Sequence, residues 1–200
     1  TDFGSVWKVT ILSTNTSATS QFKFDQSGDW VSNWGAGSSG TKNSTLGTLS
    51  AGGGNLSFSE VKNTHYSFNM DSSHSQYALM ETDTNPVTIA AVSDNHIKDP
   101  GTDPVTVTIQ LSGSKTTQEE VWVRYTANGW ASSLLTAKAT GSSTNYSAVI
   151  AGQTAGTRVE YYVLTSAMPS NQIAGSPDLC TLKGKKNGAA NYYYRAGGGN

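Results

Sequence analysis

Apolar residues in this chain recur at every second position in short runs, and each run is stopped by a cluster of Gly, Ser, Asn or Asp. A period of two belongs to strands, because successive side chains of a strand point to opposite faces, so this pattern restricts the chain to many short strands. Trp7, Val9 and Ile11 alternate with Lys8 and Thr10, and residues 21–25 alternate through Phe22 and Phe24 before a tip at Gln26-Ser27-Gly28-Asp29. Residues 66–70 and 76–80 form a second pair joined by a polar turn from Asp71 to His74, which reads as a hairpin. Further runs cover residues 105–111, 120–125, 146–150 and 157–166, with turns at Asn128-Gly129, Gly141 to Asn145 and Gly152 to Gly156. The only helical candidate, Ala131 to Ala139, is weakened by Ser132, Ser133 and Thr136.

The expected fold class is therefore all-β, built as two tandem antiparallel β-sandwich domains of immunoglobulin-like style. The boundary is placed near Asn85, ahead of Pro86, because the segment from Glu81 is polar and ends in proline. That gives one domain over residues 1–85, a second over 86–196, and a glycine-rich linker stub over 197–200. No repeat relates the two halves beyond shared style.

Charged residues make up 14% of the chain, against roughly 25% in an average globular protein, and the formal net charge is -1. With no basic stripe beyond Lys183 to Lys186, nucleic acid is not an expected partner. No apolar run approaches the roughly 20 residues needed to cross a bilayer, so no membrane partner is expected. If the protein is exported, its signal was removed before Thr1. Cys180 stands alone, which excludes an internal disulfide and a thiolate metal knuckle. The surface should be neutral and rich in hydroxyls and amides, as in secreted or cell-surface all-β proteins.

No catalytic constellation emerges. The acids fall mostly in turns and linkers, and the adjacent Glu119 and Glu120 point to opposite faces of a strand, poor geometry for a glycosidase pair. His65, His74 and His96 lack the spacing of a zinc motif, so their expected roles are structural. Gly52-Gly53-Gly54 has no following lysine and helix, which excludes a phosphate loop. Asp94, Asn95, Asp99 and Asp103 offer oxygen ligands without an EF-hand spacing, and a plain linker is the better reading. No catalytic residue, metal site or cofactor is expected.

Aromatic residues remain. Trp7 heads an alternating strand and is expected in the core beside Val9 and Ile11. If Val121, Val123 and Tyr125 fill a core, alternation turns Trp122 and Arg124 outward, where Trp122 and Trp130 would frame one shallow platform. Trp30 and Trp34 bracket Val31-Ser32-Asn33, so that one plugs the sandwich and the other meets solvent. A flat indole held open to water on a rigid frame suits a sugar ring, whose C–H groups pack on it.

The second half, from about Pro86 to Arg195, resembles the immunoglobulin-like modules of secreted bacterial polysaccharide hydrolases. The likeness lies in residues 103–107, in the run from Val123 through Arg124, Tyr125, Thr126, Ala127, Asn128 and Gly129 to Trp130, in residues 156–166 and in residues 191–194. Arg-Tyr followed by Gly-Trp is similar to the aromatic platform of carbohydrate-binding modules of families 25 and 26, although those commonly carry His where this chain has Arg124. The first half resembles the starch-binding sandwich domains of outer-surface glycan-binding lipoproteins, through Phe22-Lys23-Phe24, Gly28-Asp29-Trp30, Asn33-Trp34-Gly35, Tyr66-Ser67-Phe68 and Tyr77. The resemblance implies a non-catalytic monomer that binds polysaccharide, namely starch and maltooligosaccharides, and carries an attached hydrolase to its substrate. Arg124, Tyr125 and Trp130 are the matching positions of the resemblance, and together with the residues read from the strands the expected contacts are Trp122, Arg124, Tyr125, Asn128, Trp130, Trp30 and Trp34. The competing expectation is a spacer or protein-contact region with buried tryptophans and no glycan affinity.

Overall fold

A computed structural model describes residues 6–96, 103–131 and 135–197. In chain order the first half holds β1 (Val6–Leu12), β2 (Ser17–Phe22), β3 (Phe24–Asp25), β4 (Asn33–Ala36), β5 (Gly47–Ala51), β6 (Leu56–Glu60), β7 (His65–Asp71) and β8 (Gln76–Thr82). The second half holds β9 (Ile89–Asp94), β10 (Val105–Leu111), β11 (Glu120–Thr126), β12 (Leu135–Lys138), β13 (Thr140–Ser142), β14 (Asn145–Ile150), β15 (Arg158–Ser166), a short helix α1 (Ser170–Gly175), β16 (Lys183–Lys185) and β17 (Tyr192–Arg195). The chain is nearly all β, and its paired strands are antiparallel.

Four sheets arise from this order. One is six-stranded, β1-β7-β8-β5-β4-β3, and faces a two-stranded ribbon, β2-β6. In the second half, β12-β11-β15-β16, with β17 also on β15, faces β13-β14-β10-β9. Alternation decides what lies between them. Val107, Ile109, Val121, Val123, Val159 and Val163 are all fully buried in one core, while Leu56, Tyr66, Phe68, Met70 and Tyr77 fill another under the ribbon.

A third core lies where the halves meet. Ala78 and Met80 of β8 pack with Trp122, Leu164, Met168, Ile173, Leu179, Cys180 and Leu182. Polar groups lock the same junction, since the buried Asn69 amide donates to the carbonyls of Leu179 and Thr181 at 2.8 and 3.0 Å. Lys8 Nζ donates to the Thr181 carbonyl at 3.0 Å, and Gln172 Oε1 accepts from Leu46 N–H at 3.2 Å. Each of these bonds matters, because a buried donor left orphaned costs about 1–3 kcal/mol. The Cys180 thiol, sealed in this layer, is pushed up to about 12 by burial and is inert as a nucleophile.

Several expectations are corrected. Residues 135–138 of the helical candidate form a strand, and its residues 132–134 lie outside the described residues. Among the described residues the one helix, a short one, sits instead at Ser170–Gly175, a segment with no helical periodicity of its own. Trp7 is not core: it is 43% exposed, with Val9 at 52% and Ile11 at 42%. Asp99 and residues 198–200 of the linker stub lie outside the described residues. Asp94 accepts hydrogen bonds from Tyr161 and His96, and among the described residues no three His, Cys, Asp or Glu side chains gather as a metal site.

Candidate binding surface

On β11 the register puts Trp122 opposite Leu164, Arg124 opposite Tyr162 and Thr126 opposite Glu160, so these side chains share one face. Val121, Val123 and Tyr125 take the other, at 0%, 0% and 9% exposure. The alternation holds, but the expected opening of Trp122 to water does not. Trp122 is 8% exposed because α1, the segment from Met168 to Leu182 and the face of β8 lie over it. Its indole N–H has no hydrogen-bond partner among the described residues. Tyr125 points into the inner core, so it cannot join Arg124 on a ligand-facing surface.

Only the far end of this face remains partly open. The Arg124 guanidinium lies 4.8 Å from the Trp130 ring centre and 5.4 Å from that of Tyr162, and donates to the Tyr162 hydroxyl. Tyr162 in turn donates to Asp178 at 3.0 Å. A guanidinium held this way contributes about 1–2 kcal/mol and covers a face of the indole that a sugar would need. Trp130 donates its N–H to Glu160 at 3.3 Å, as does the Asn191 amide. Partial burial tends to raise the Glu160 pKa, but these donors and Arg158 outweigh it and hold the carboxyl below its ordinary range. Asn128 is exposed, yet its side-chain oxygen accepts from Thr126 at 2.9 Å and shapes the turn. Trp130 leaves that turn at a left-handed φ of 66°.

The first half presents a different surface. Trp7, Val9 and Ile11 pair with Met70, Phe68 and Tyr66, so they point toward the ribbon side of the six-stranded sheet. The ribbon has only two strands and stops short of the edge strand β1. A cleft of about 350 Å³ results, with Val9 and Ile11 on one side, Phe22, Phe24 and Phe58 on the other, and Glu60 and Lys23 among its polar groups. The Glu60 carboxylate accepts from the Ser13 and Ser20 hydroxyls, which lower its pKa. Along the same sheet, His74 stacks on Trp34 at 4.0 Å and 22°, and Trp7 meets both rings edge-on at 4.9 and 6.3 Å.

Trp30 stands apart at 61% exposure. Asp25 fixes its loop by accepting from the backbone N–H groups of Ser27, Gly28 and Trp30, and the Asn33 amide holds the Trp30 carbonyl at 2.6 Å. Trp30 also has a left-handed φ, 63°, where a bulky side chain is under strain. Trp34, half-buried on β4, takes the packing role of the pair.

The structure thus brings Trp34 together with Trp7 and His74, two residues the sequence assigns to core and to plain structure. It turns Tyr125 to the face opposite Arg124 and seals Trp122, on the same face as Arg124, beneath the covering layer. One signal for the open shelf is present in the chain: the Ser- and Thr-rich stretches 17–22 and 56–60 are too short to cover a wide sheet. No protein-family model matches the chain, and no curated protein or solved structure matches it.

Proposed function

We propose that this chain is a non-catalytic carbohydrate-binding region of two tandem immunoglobulin-like β-sandwiches. In this reading it holds starch or a related alpha-glucan, on the outside of the cell, for an attached glycoside hydrolase. The observation that carries the reading is the open aromatic shelf of the first half: Trp7, 43% exposed at the sheet edge, beside the stacked Trp34 and His74. Trp30 adds a second open indole on a loop fixed by hydrogen bonds, so little ordering entropy is lost when a sugar packs on it. Sugar C–H groups on one such ring contribute about 1–3 kcal/mol by analogy with base stacking. Two rings on one chain give affinities from about millimolar to micromolar.

A second reading, a spacer or protein-contact region, draws support from the second half, where Trp122 is sealed and Arg124 covers Trp130. Tryptophan emission titrated with maltoheptaose, cellohexaose and xylohexaose separates the two. Quenching by maltoheptaose that is lost in Trp7→Ala and retained in Trp130→Ala supports binding on the first half. No change with any of the three glycans overturns it and leaves the spacer.

A further inference from the structure

Strand β1 ends the six-stranded sheet, pairs among the described strands only with β7, and is exposed from Trp7 to Leu12. Its outer edge carries a row of backbone donors and acceptors that no described strand meets. Such an edge is normally protected by a proline, a bulge, a covering loop or an inward charge. β1 has no proline and pairs with β7 without a register shift. Its one charge, Lys8, is drawn to the Thr181 carbonyl on the face away from the cleft. Trp7, Val9, Ile11 and Leu12 are all large, apolar and at least 42% exposed on this one strand.

The backbone parity says which partner fits. Ser13 N–H donates to the Thr64 carbonyl at 2.8 Å and continues the β1–β7 register, so the odd-numbered residues direct their backbone groups toward β7. The even-numbered residues Val6, Lys8, Thr10 and Leu12 then direct theirs to the free edge. An antiparallel copy of β1 centred on Val9 satisfies this parity, with Lys8 and Thr10 exchanging hydrogen bonds with Thr10 and Lys8 of the copy. On the cleft side, Trp7 then meets Ile11 and Val9 meets Val9. Val6 meets Leu12 on the other side. Shifting the centre to Lys8 sets two ammonium groups opposite each other, and shifting it to Thr10 leaves Trp7 facing Ser13.

We propose that β1 is the interface of a two-fold dimer of this chain, in which two six-stranded sheets join antiparallel through Val9. The contact is isologous, as two-fold interfaces are, and it removes the edge from both protomers. One short strand per protomer falls below the size of a stable interface, so the dimer is weak, with a Kd on the order of 10–100 µM. The monomer expected from the sequence becomes the dilute form. The proposal does not rest on glycan binding.

Sedimentation velocity across a concentration range from well below to well above that Kd tests it. The expected result is a sedimentation coefficient that rises with concentration toward that of a dimer. Val9→Lys opposes two charges across the axis, and Thr10→Pro removes one donor at the free edge while keeping the β1–β7 backbone hydrogen bonds, at the loss of the Thr10 hydroxyl's bond to Ser67. Each should weaken dimerisation at least 10-fold, Val9→Lys with an unchanged melting curve, whereas Val149→Lys, on the exposed side of β14, should not. A second measurement avoids dependence on folding of those variants. Val9→Cys, oxidised with diamide above the Kd, should form a disulfide-linked dimer, because residues opposed in a non-hydrogen-bonded pair hold their Cβ atoms at the short end of about 4.5–5.5 Å, within small adjustment of disulfide geometry. Buried Cys180 does not compete. Ile11→Cys, which faces Trp7 of the copy, should not cross-link. A monomer at every concentration, or cross-linking equal at residues 9 and 11, overturns the proposal.

Discussion

Trp7 on β1 and Trp122 on β11 are placed alike in sequence, each in a seven-residue strand of alternating character, yet one ring is 43% exposed and the other 8%. The difference lies outside both strands. β11 is an interior strand, flanked by β12 and β15, and its second face is covered by α1, the segment to Leu182 and β8. β1 is the last strand of its sheet, and the ribbon meant to cover it is too narrow. Alternation assigns a side chain to a face, and the neighbouring layer decides whether that face is dry. A tryptophan read as a binding residue and one read as core can therefore exchange roles without any change in their own strands.

The largest test of this contrast is truncation of each ring. Trp122→Ala should destabilise the chain by about 3–5 kcal/mol, since it opens a cavity in the core that joins the halves. Trp7→Ala should cost only about 1 kcal/mol, the worth of its edge contacts with Trp34 and His74. Chemical denaturation of both variants measures the gap. Equal losses would break the comparison, because they would mean that Trp7 is packed as tightly as Trp122. The Trp122 variant should also lower the melting temperature of the whole chain in one transition, as Met80 and Leu164 lose the same neighbour from opposite sides.

Much of the fold is legible in the sequence, and the reasons are local. The strands at 66–70, 76–80, 105–111 and 120–125 announce themselves by alternation, and the structure places them within β7, β8, β10 and β11. β5, running Gly-Thr-Leu-Ser-Ala, carries one large apolar side chain and gives no periodic signal; Gly47 is there because the Tyr77 ring lies where a Cβ would be, 2.1 Å away. The site was less legible. Alternation assigns the faces, so Val121, Val123 and Tyr125 stand opposite Trp122 and Arg124 in the sequence as in the structure. Layer order depends on contacts between residues as far apart as Asn69 and Thr181, which no local pattern records.

A smaller effect sharpens the account of the second half. Because the folded pKa of Glu160 is held below the ordinary value of 4.5, its contribution is fully present above that value and is lost as pH falls through the lowered one. Glu160→Gln should therefore be less stable than the parent at neutral pH, by about 1 kcal/mol or less for so open a group. The gap should close as pH falls below 4.5, with Trp130 emission changing over the same range in the parent alone. A gap that does not vary with pH would mean that Trp130 is held by Arg124 and packing without the carboxylate.

The smallest effect concerns Trp30 and inverts the usual sign. A non-glycine residue in the left-handed region costs roughly 1–2 kcal/mol. Trp30, at φ 63° and 61% exposed, returns little of that through packing. Trp30→Gly relieves the strain but frees the unfolded chain, which takes back about 0.4–1 kcal/mol. The net result should be a gain of about 0.5 kcal/mol. Strain of this kind persists where the ring has work outside the fold, so the same variant should bind maltoheptaose more weakly than the parent. Higher stability with lower affinity places Trp30 at the exposed pole of the comparison, opposite Trp122. A loss of stability would show that its indole is packed after all, and the strain would then have no functional meaning.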